Sequence, residues 1–237
     1  MKSSWSAPHL IGALVFALGI LGSTLLTAGL TTAGLEATQY GFTTFTNEHF
    51  DGLACPPLMT RSETGLIRVT VNNPSGMEIT PIMSVDLSAR GLPQTRQEQV
   101  TVPAGQSGQL EWKVSSENLA EGAFIFAKVD RSFSYPVPAA QALCGILVLD
   151  VPFASGAAIL FAWLGLCLVC IPLGLWLWST GRQGSYRLGG NARALAVMAL
   201  AGLLASLPGW WLLGLFCLVI TVLLAVSLVA TAISGMG

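Results

Sequence analysis

The chain is 237 residues long, 53% hydrophobic and 10% charged, with a mean hydropathy of +0.67 and a formal net charge of −1. Soluble domains carry about 25% charged residues, so this composition argues against an ordinary soluble protein and against a disordered chain. It also argues against nucleic-acid binding, which needs a basic surface to neutralise phosphates.

The small net charge conceals a segregation. All twelve acidic residues lie between Glu36 and Asp150, and with seven basic residues they give that stretch a net −5. Lys2, Arg182, Arg187 and Arg193 lie outside it and carry +4.

The first predicted element is a transmembrane helix over Leu10 to Leu30, 21 residues without a charge, since about 20 apolar residues cross the hydrocarbon core. Its apolar run exceeds the 7–15 residues of a signal-peptide core, so it reads as an uncleaved anchor. A polar cluster follows, Asn47-Glu48-His49-Phe50-Asp51. Imidazole beside two carboxylates could hold a divalent metal, but no second cluster completes a site, so it reads as a solvated loop.

Residues 62–150 read as strands. Leu66 to Val71 alternates apolar and polar, and Asn72-Asn73-Pro74-Ser75-Gly76 signals a turn. Further strands are expected over Ile79 to Leu87, Gln97 to Val102, Gln109 to Val114, Ala123 to Val129 and Gly145 to Leu149. Six or seven such strands suggest a β-sandwich, with Trp112 in its core.

Three segments carry a family resemblance: Val69-Thr70-Val71-Asn72-Asn73-Pro74, then Val100-Thr101-Val102-Pro103-Ala104-Gly105-Gln106-Ser107, then Glu121-Gly122 ahead of an apolar strand. Over about residues 62–135 the chain resembles the immunoglobulin-like modules of bacterial surface proteins. The resemblance implies a fold and a tendency toward protein or carbohydrate contacts, and no chemistry.

Three more spans follow: about Phe153 to Trp178, with Pro172 near its end; Ala192 to Leu207, the shortest; and Trp210 to Ile233. Pro208-Gly209 marks a tight turn between the last two, which read as a hairpin. Basic residues flank spans on the cytoplasmic side. Lys2, Arg182, Arg187 and Arg193 therefore place both termini inside and residues 33–151 outside. Trp5, Trp176 and Trp178 would mark the inner interface, and Trp210 and Trp211 the outer one.

The expected organisation is a cytoplasmic N-terminus with helix 1 (1–32), an extracytoplasmic sandwich (33–151), helix 2 (152–179), a basic cytoplasmic loop (180–191) and a helical hairpin (192–237). The fold class is thus integral membrane α + β, in the plasma (inner) membrane. Cys55 and Cys144 are the two cysteines outside, where disulfides form. A bond between them would close a loop around most of the sandwich, worth roughly 4–5 kcal/mol in the chain-entropy picture.

Little in the chain points to catalysis. Cys167 and Cys170 form a C-x-x-C and raise the alternative of a membrane thiol-disulfide oxidoreductase. However, a pair deep in a span is hard for a partner thiol to reach, and an apolar site disfavours the thiolate, so packing is the plainer reading. His9 reads as an interfacial residue. No span core holds Asp, Glu or Lys, which ion-coupled transport normally needs. No G-x-S-x-G, H-E-x-x-H or phosphate-binding glycine loop occurs. Small residues four apart, Gly19 and Ser23, Ala158 and Ala162, Ala201 and Ala205, would let helices approach closely.

The sequence thus suggests a non-catalytic accessory or structural subunit of a membrane protein complex, with neither cofactor nor metal. Its partners would be other membrane protein subunits and the lipid bilayer, not nucleic acid. An extracytoplasmic small-ligand receptor is the remaining alternative.

Overall fold

A computed structural model describes residues 7–42, 48–120, 122–180 and 186–234, without side chains at 7, 8, 180, 186–189 and 232–234. Lys2, Trp5, Asn47 and Arg182 fall outside the described residues, as does the side chain of Arg187. The chain divides into two compact units, Met1–Thr31 with Ile159–Gly237, and Thr32–Ala158.

The first unit is helical. It holds most of α1 (Ala7–Gln39) and α2 (Gly156–Thr180), together with all of α3 (Tyr186–Ser206) and α4 (Trp211–Ser234). Three segments, His9–Gln39, Gly156–Ser179 and Trp211–Thr231, are long and apolar enough to cross a bilayer, which suggests a membrane protein. The apolar part of α3, Gly190–Ser206, is shorter.

Glycines set the helix packing. A Cβ at Gly19 would lie 2.8 Å from Ile171, one at Gly12 would lie 2.8 Å from Leu177, and one at Gly174 would collide with the backbone of Phe16. As residue numbers rise along α1 they fall along α2, so the two helices run antiparallel with backbones in near contact. Ser23 turns to α3 instead and donates to the Ala199 carbonyl at 2.9 Å. Gly209, at φ +86°, makes the turn between α3 and α4.

The second unit is a sandwich of two sheets. Its strands are β1 (Leu53–Ala54), β2 (Leu58–Thr60), β3 (Gly65–Asn72), β4 (Ile82–Leu87), β5 (Gln94–Gln99), β6 (Ser107–Val114), β7 (Phe124–Arg131) and β8 (Ala140–Leu149). One sheet has the order β1-β3-β6 and the other β2-β8-β7-β4-β5. All neighbours pair antiparallel except β2 and β8, which are parallel.

Alternation fills the space between the sheets. Ile67, Val69, Val71, Trp112 and Val114 from one sheet meet Met83, Val85, Leu87, Ile125, Ala127, Val129 and Ile146 from the other, all buried. Trp112 lies in this core as expected, and its Nε1–H donates to Glu98 at 3.0 Å.

Several boundaries differ from the sequence reading. Helix α1 runs to Gln39 rather than ending at 30, and its last turns belong to the sandwich unit. There Ala37, with Tyr40 and Phe42, packs on Phe126 of β7. A polar helix end costs nothing beyond the bilayer, so the apolar run underestimates helix length. For the same reason α3 begins at Tyr186, and the expected loop 180–191 is helical from 186 onward. Helix α2 starts at Gly156, three residues after Phe153, where Ser155 Oγ caps the Ala158 N–H. Strand β5 spans Gln94–Gln99 instead of Gln97 to Val102. Val102 makes only an isolated bridge to Ile79.

Close approach fixes the sandwich at one glycine. A Cβ on Gly145 of β8 would strike the Ala33 carbonyl of α1. Gly145→Ala is expected to destabilise the full chain in detergent by about 1–3 kcal/mol through overpacking. Gly76→Ala, where a Cβ meets nothing within 4 Å, should change stability by no more than about 0.5 kcal/mol. Chemical unfolding of both variants checks the contrast.

Candidate interaction surface

Cys55 follows β1 and Cys144 lies on β8, with sulfurs at disulfide distance, 2.01 Å, and a sequence separation of 89. The pair ties the segment between the first two strands to the last strand. Beyond β2, the Glu63 carboxylate accepts from the Thr60 N–H at 3.2 Å and from the Gly156 N–H at 2.8 Å. A carboxylate there also meets the positive end of the α2 dipole.

The other chemistry-bearing residues stay apart. Cys167 and Cys170 are free, and Cys167 is buried against α1, where a Cβ on Gly22 would lie 3.3 Å from its sulfur. His9 is engaged on both ring nitrogens: Nδ1–H donates to the Trp178 carbonyl at 2.8 Å, and Nε2 accepts from the Trp178 indole at 3.2 Å. His49 and Asp51 are exposed and 3.9 Å apart. Among the described residues no three metal-ligating side chains converge. Of the small-residue pairs, Gly19 and Ser23 are used in packing, Ala158 and Ala162 point outward, and Ala205 is buried while Ala201 is exposed. Arg193 is exposed on α3.

Two features were missed from sequence. One is a buried charge cluster on the face of the five-stranded sheet turned away from the core. Lys128 is fully buried and pairs with Asp130 at 2.7 Å. Asp86 stands directly across from Lys128 on β4 and accepts from Thr95 Oγ1 at 2.6 Å. Burial pushes the Asp130 carboxyl above its usual 3.8, with Asp86 adding to the rise, against the hydrogen bond and charge of Lys128. In the sequence, Lys128 alternates with Val129 and nothing marks it as buried.

The other feature is an apolar patch at the end of the sandwich where β8 begins. Asn73, buried, donates through Nδ2 to the carbonyls of Met77, Val102 and Pro103 at 2.8–3.0 Å. This fixes the β3–β4 connection. The β7–β8 connection is tied to it: the Thr80 N–H reaches Ser134 Oγ at 3.4 Å, and the Ile82 N–H reaches Ser132 Oγ at 2.9 Å. The hydroxyls face inward, leaving Phe133 66% and Tyr135 71% exposed, and on the connected segment Met77 and Ile82 are each about half exposed. Arg131 supports the same loop, donating to the Pro138 carbonyl at 3.1 Å and lying over the Phe50 ring at 5.5 Å. The alternation Ser132-Phe133-Ser134-Tyr135 before Pro136 was the available signal.

No family model matches the chain, and no curated protein matches it. Among solved structures it is similar to red sea bream transglutaminase, at 17% identity and a TM-score of 0.33, over 42% of this chain and 16% of that one. A β-glucosidase from Listeria innocua gives 17%, 0.32, and the same 42% and 16%. A CARDB domain from Pyrococcus furiosus gives 11% and 0.33, over 46% of this chain and 98% of that one. The chain thus spans about a sixth of the length of the first two. All three scores lie below 0.5, so the sandwich described above rests on this chain's own strand order and core.

Lys128 gives a pH-dependent expectation. Lys128→Met removes the cation that pairs with Asp130, so the Asp130 pKa rises further in the folded state. A raised carboxyl contributes stability below its unfolded pKa and loses it as pH rises through the folded one. The variant should therefore lose roughly 3–5 kcal/mol at pH 7. The loss should shrink on acidification through the raised pKa, as read by urea unfolding at several pH values.

Proposed function

We propose that the protein is a non-catalytic accessory subunit of a membrane protein complex, whose sandwich docks a partner on the extracytoplasmic side. In this reading the sandwich is immunoglobulin-like, and all four helices span the bilayer. Lys2, Arg182, Arg187 and Arg193 hold the cytoplasmic flanks, so residues 33–151 lie outside.

The observation that carries the proposal is the exposed patch of Met77, Ile82, Phe133 and Tyr135. Aromatic side chains displayed on loops that internal hydrogen bonds hold in place lose little entropy on binding, and Tyr is enriched among interface hot spots. The Cys55–Cys144 pair supports an oxidising compartment for the sandwich. Burial of Cys167 in the α1–α2 contact supports a packing role for it over thiol exchange.

Purification from native membranes in mild detergent tests the reading. A different membrane polypeptide should co-purify in fixed ratio, and Phe133→Ser with Tyr135→Ser should lower its recovery about tenfold or more without changing the unfolding midpoint. A protein that runs without any second polypeptide would contradict it. Cys167→Ser and Cys170→Ser should leave recovery of the partner unchanged.

A further inference from the structure

We infer that strand β5 is a self-recognition edge through which two copies of this chain pair antiparallel about a two-fold axis at Gln97. This does not depend on the function proposed above. Strand β5 ends the five-stranded sheet, and all six of its residues are exposed. It pairs with β4 over its whole length in one unbroken register, from Ile82↔Gln99 to Leu87↔Gln94, and contains no proline.

The backbone bonds fix which groups point outward. Ile79 and Val102 exchange both N–H···O bonds, and the Val100 N–H donates to the Pro81 carbonyl at 3.3 Å, both in the register of β4 and β5. Bonded and non-bonded pairs alternate along an antiparallel ladder. Glu98, Arg96 and Gln94 therefore bond to β4, while Thr95, Gln97 and Gln99 present their N–H and C=O to the open edge.

A two-fold at Gln97 satisfies all of these at once. Gln97 meets Gln97 of the second copy, and Thr95 meets its Gln99, twice, giving six backbone hydrogen bonds. The same register sets Arg96 opposite Glu98 of the second copy, twice, on one face of the ladder. That face is the core side, where Arg96 and Glu98 stand beside Val85 and Met83. Charges on the inner side of an edge strand normally repel foreign strands. In this register, and only against a copy of itself, they become matched pairs. The product is a ten-stranded sheet with closed two-fold symmetry.

Cross-linking of the full chain in detergent micelles tests this. In a bonded antiparallel pair the Cα atoms lie about 5.5 Å apart, within disulfide reach. Gln97→Cys should give a covalent dimer on mild oxidation, at least about tenfold above Gln109→Cys, which is exposed on β6 of the other sheet. Adding Arg96→Glu should return the adduct to background, and further adding Glu98→Arg should restore it. If Arg96→Glu fails to fold, Gln99→Pro, which removes an N–H that β4 does not use, takes its place. An adduct at 97 no greater than at 109, one indifferent to these changes, or no recovery in the double reversal would each overturn the inference.

Discussion

The sandwich depends on one constraint: its incoming and outgoing strands are neighbours. Strand β2 lies parallel to β8, paired from Leu58↔Leu147 to Thr60↔Leu149. Cys55 and Cys144 staple the same two segments, and Glu63 holds the first N–H of α2 beside them. Because the pairing is parallel, the chain runs into β2 at one end of the pair and out of β8 at the other. The cysteines, 89 positions apart, close a loop that holds most of the sandwich's strands.

That constraint was half legible in the sequence. The long alternating strands were visible because one face of each is buried; β3 shows this most plainly, with Ile67, Val69 and Val71 buried between exposed neighbours. Strands β1 and β2, only two and three residues long, leave no period to read. The cysteine pair was legible by elimination, being the two cysteines between the first and second apolar runs. The length of α1 was not, because Glu36 and the polar residues around it end the hydrophobic signal while the helix continues to Gln39. There Gly41, at φ +62° with its N–H bonded to the Gln39 carbonyl, turns the chain away.

The polar features were the least legible, for a common reason. Whether Lys128 faces water or is buried, and whether Arg96 is one charge among many or part of a self-complementary edge, depends on which strands are neighbours. Alternation assigns a residue to a face but not to an edge. In β5 the pattern fails altogether, since every position is polar and only pairing with β4 defines the strand. The aromatic patch was hidden differently: Phe133 and Tyr135 are apolar by type, and only the inward bonds of Ser132 and Ser134 show that their rings point out.

The central claim is the sidedness of the inserted sandwich, and cysteine accessibility in sealed cells tests it most directly. Two positions suffice, Gly76→Cys in the exposed β3–β4 connection and Gln183→Cys among the basic residues between α2 and α3. A membrane-impermeant maleimide should label Cys at 76 in intact cells and Cys at 183 only after permeabilisation. Labelling at 183 in intact cells, with 76 protected until they are opened, would contradict the account.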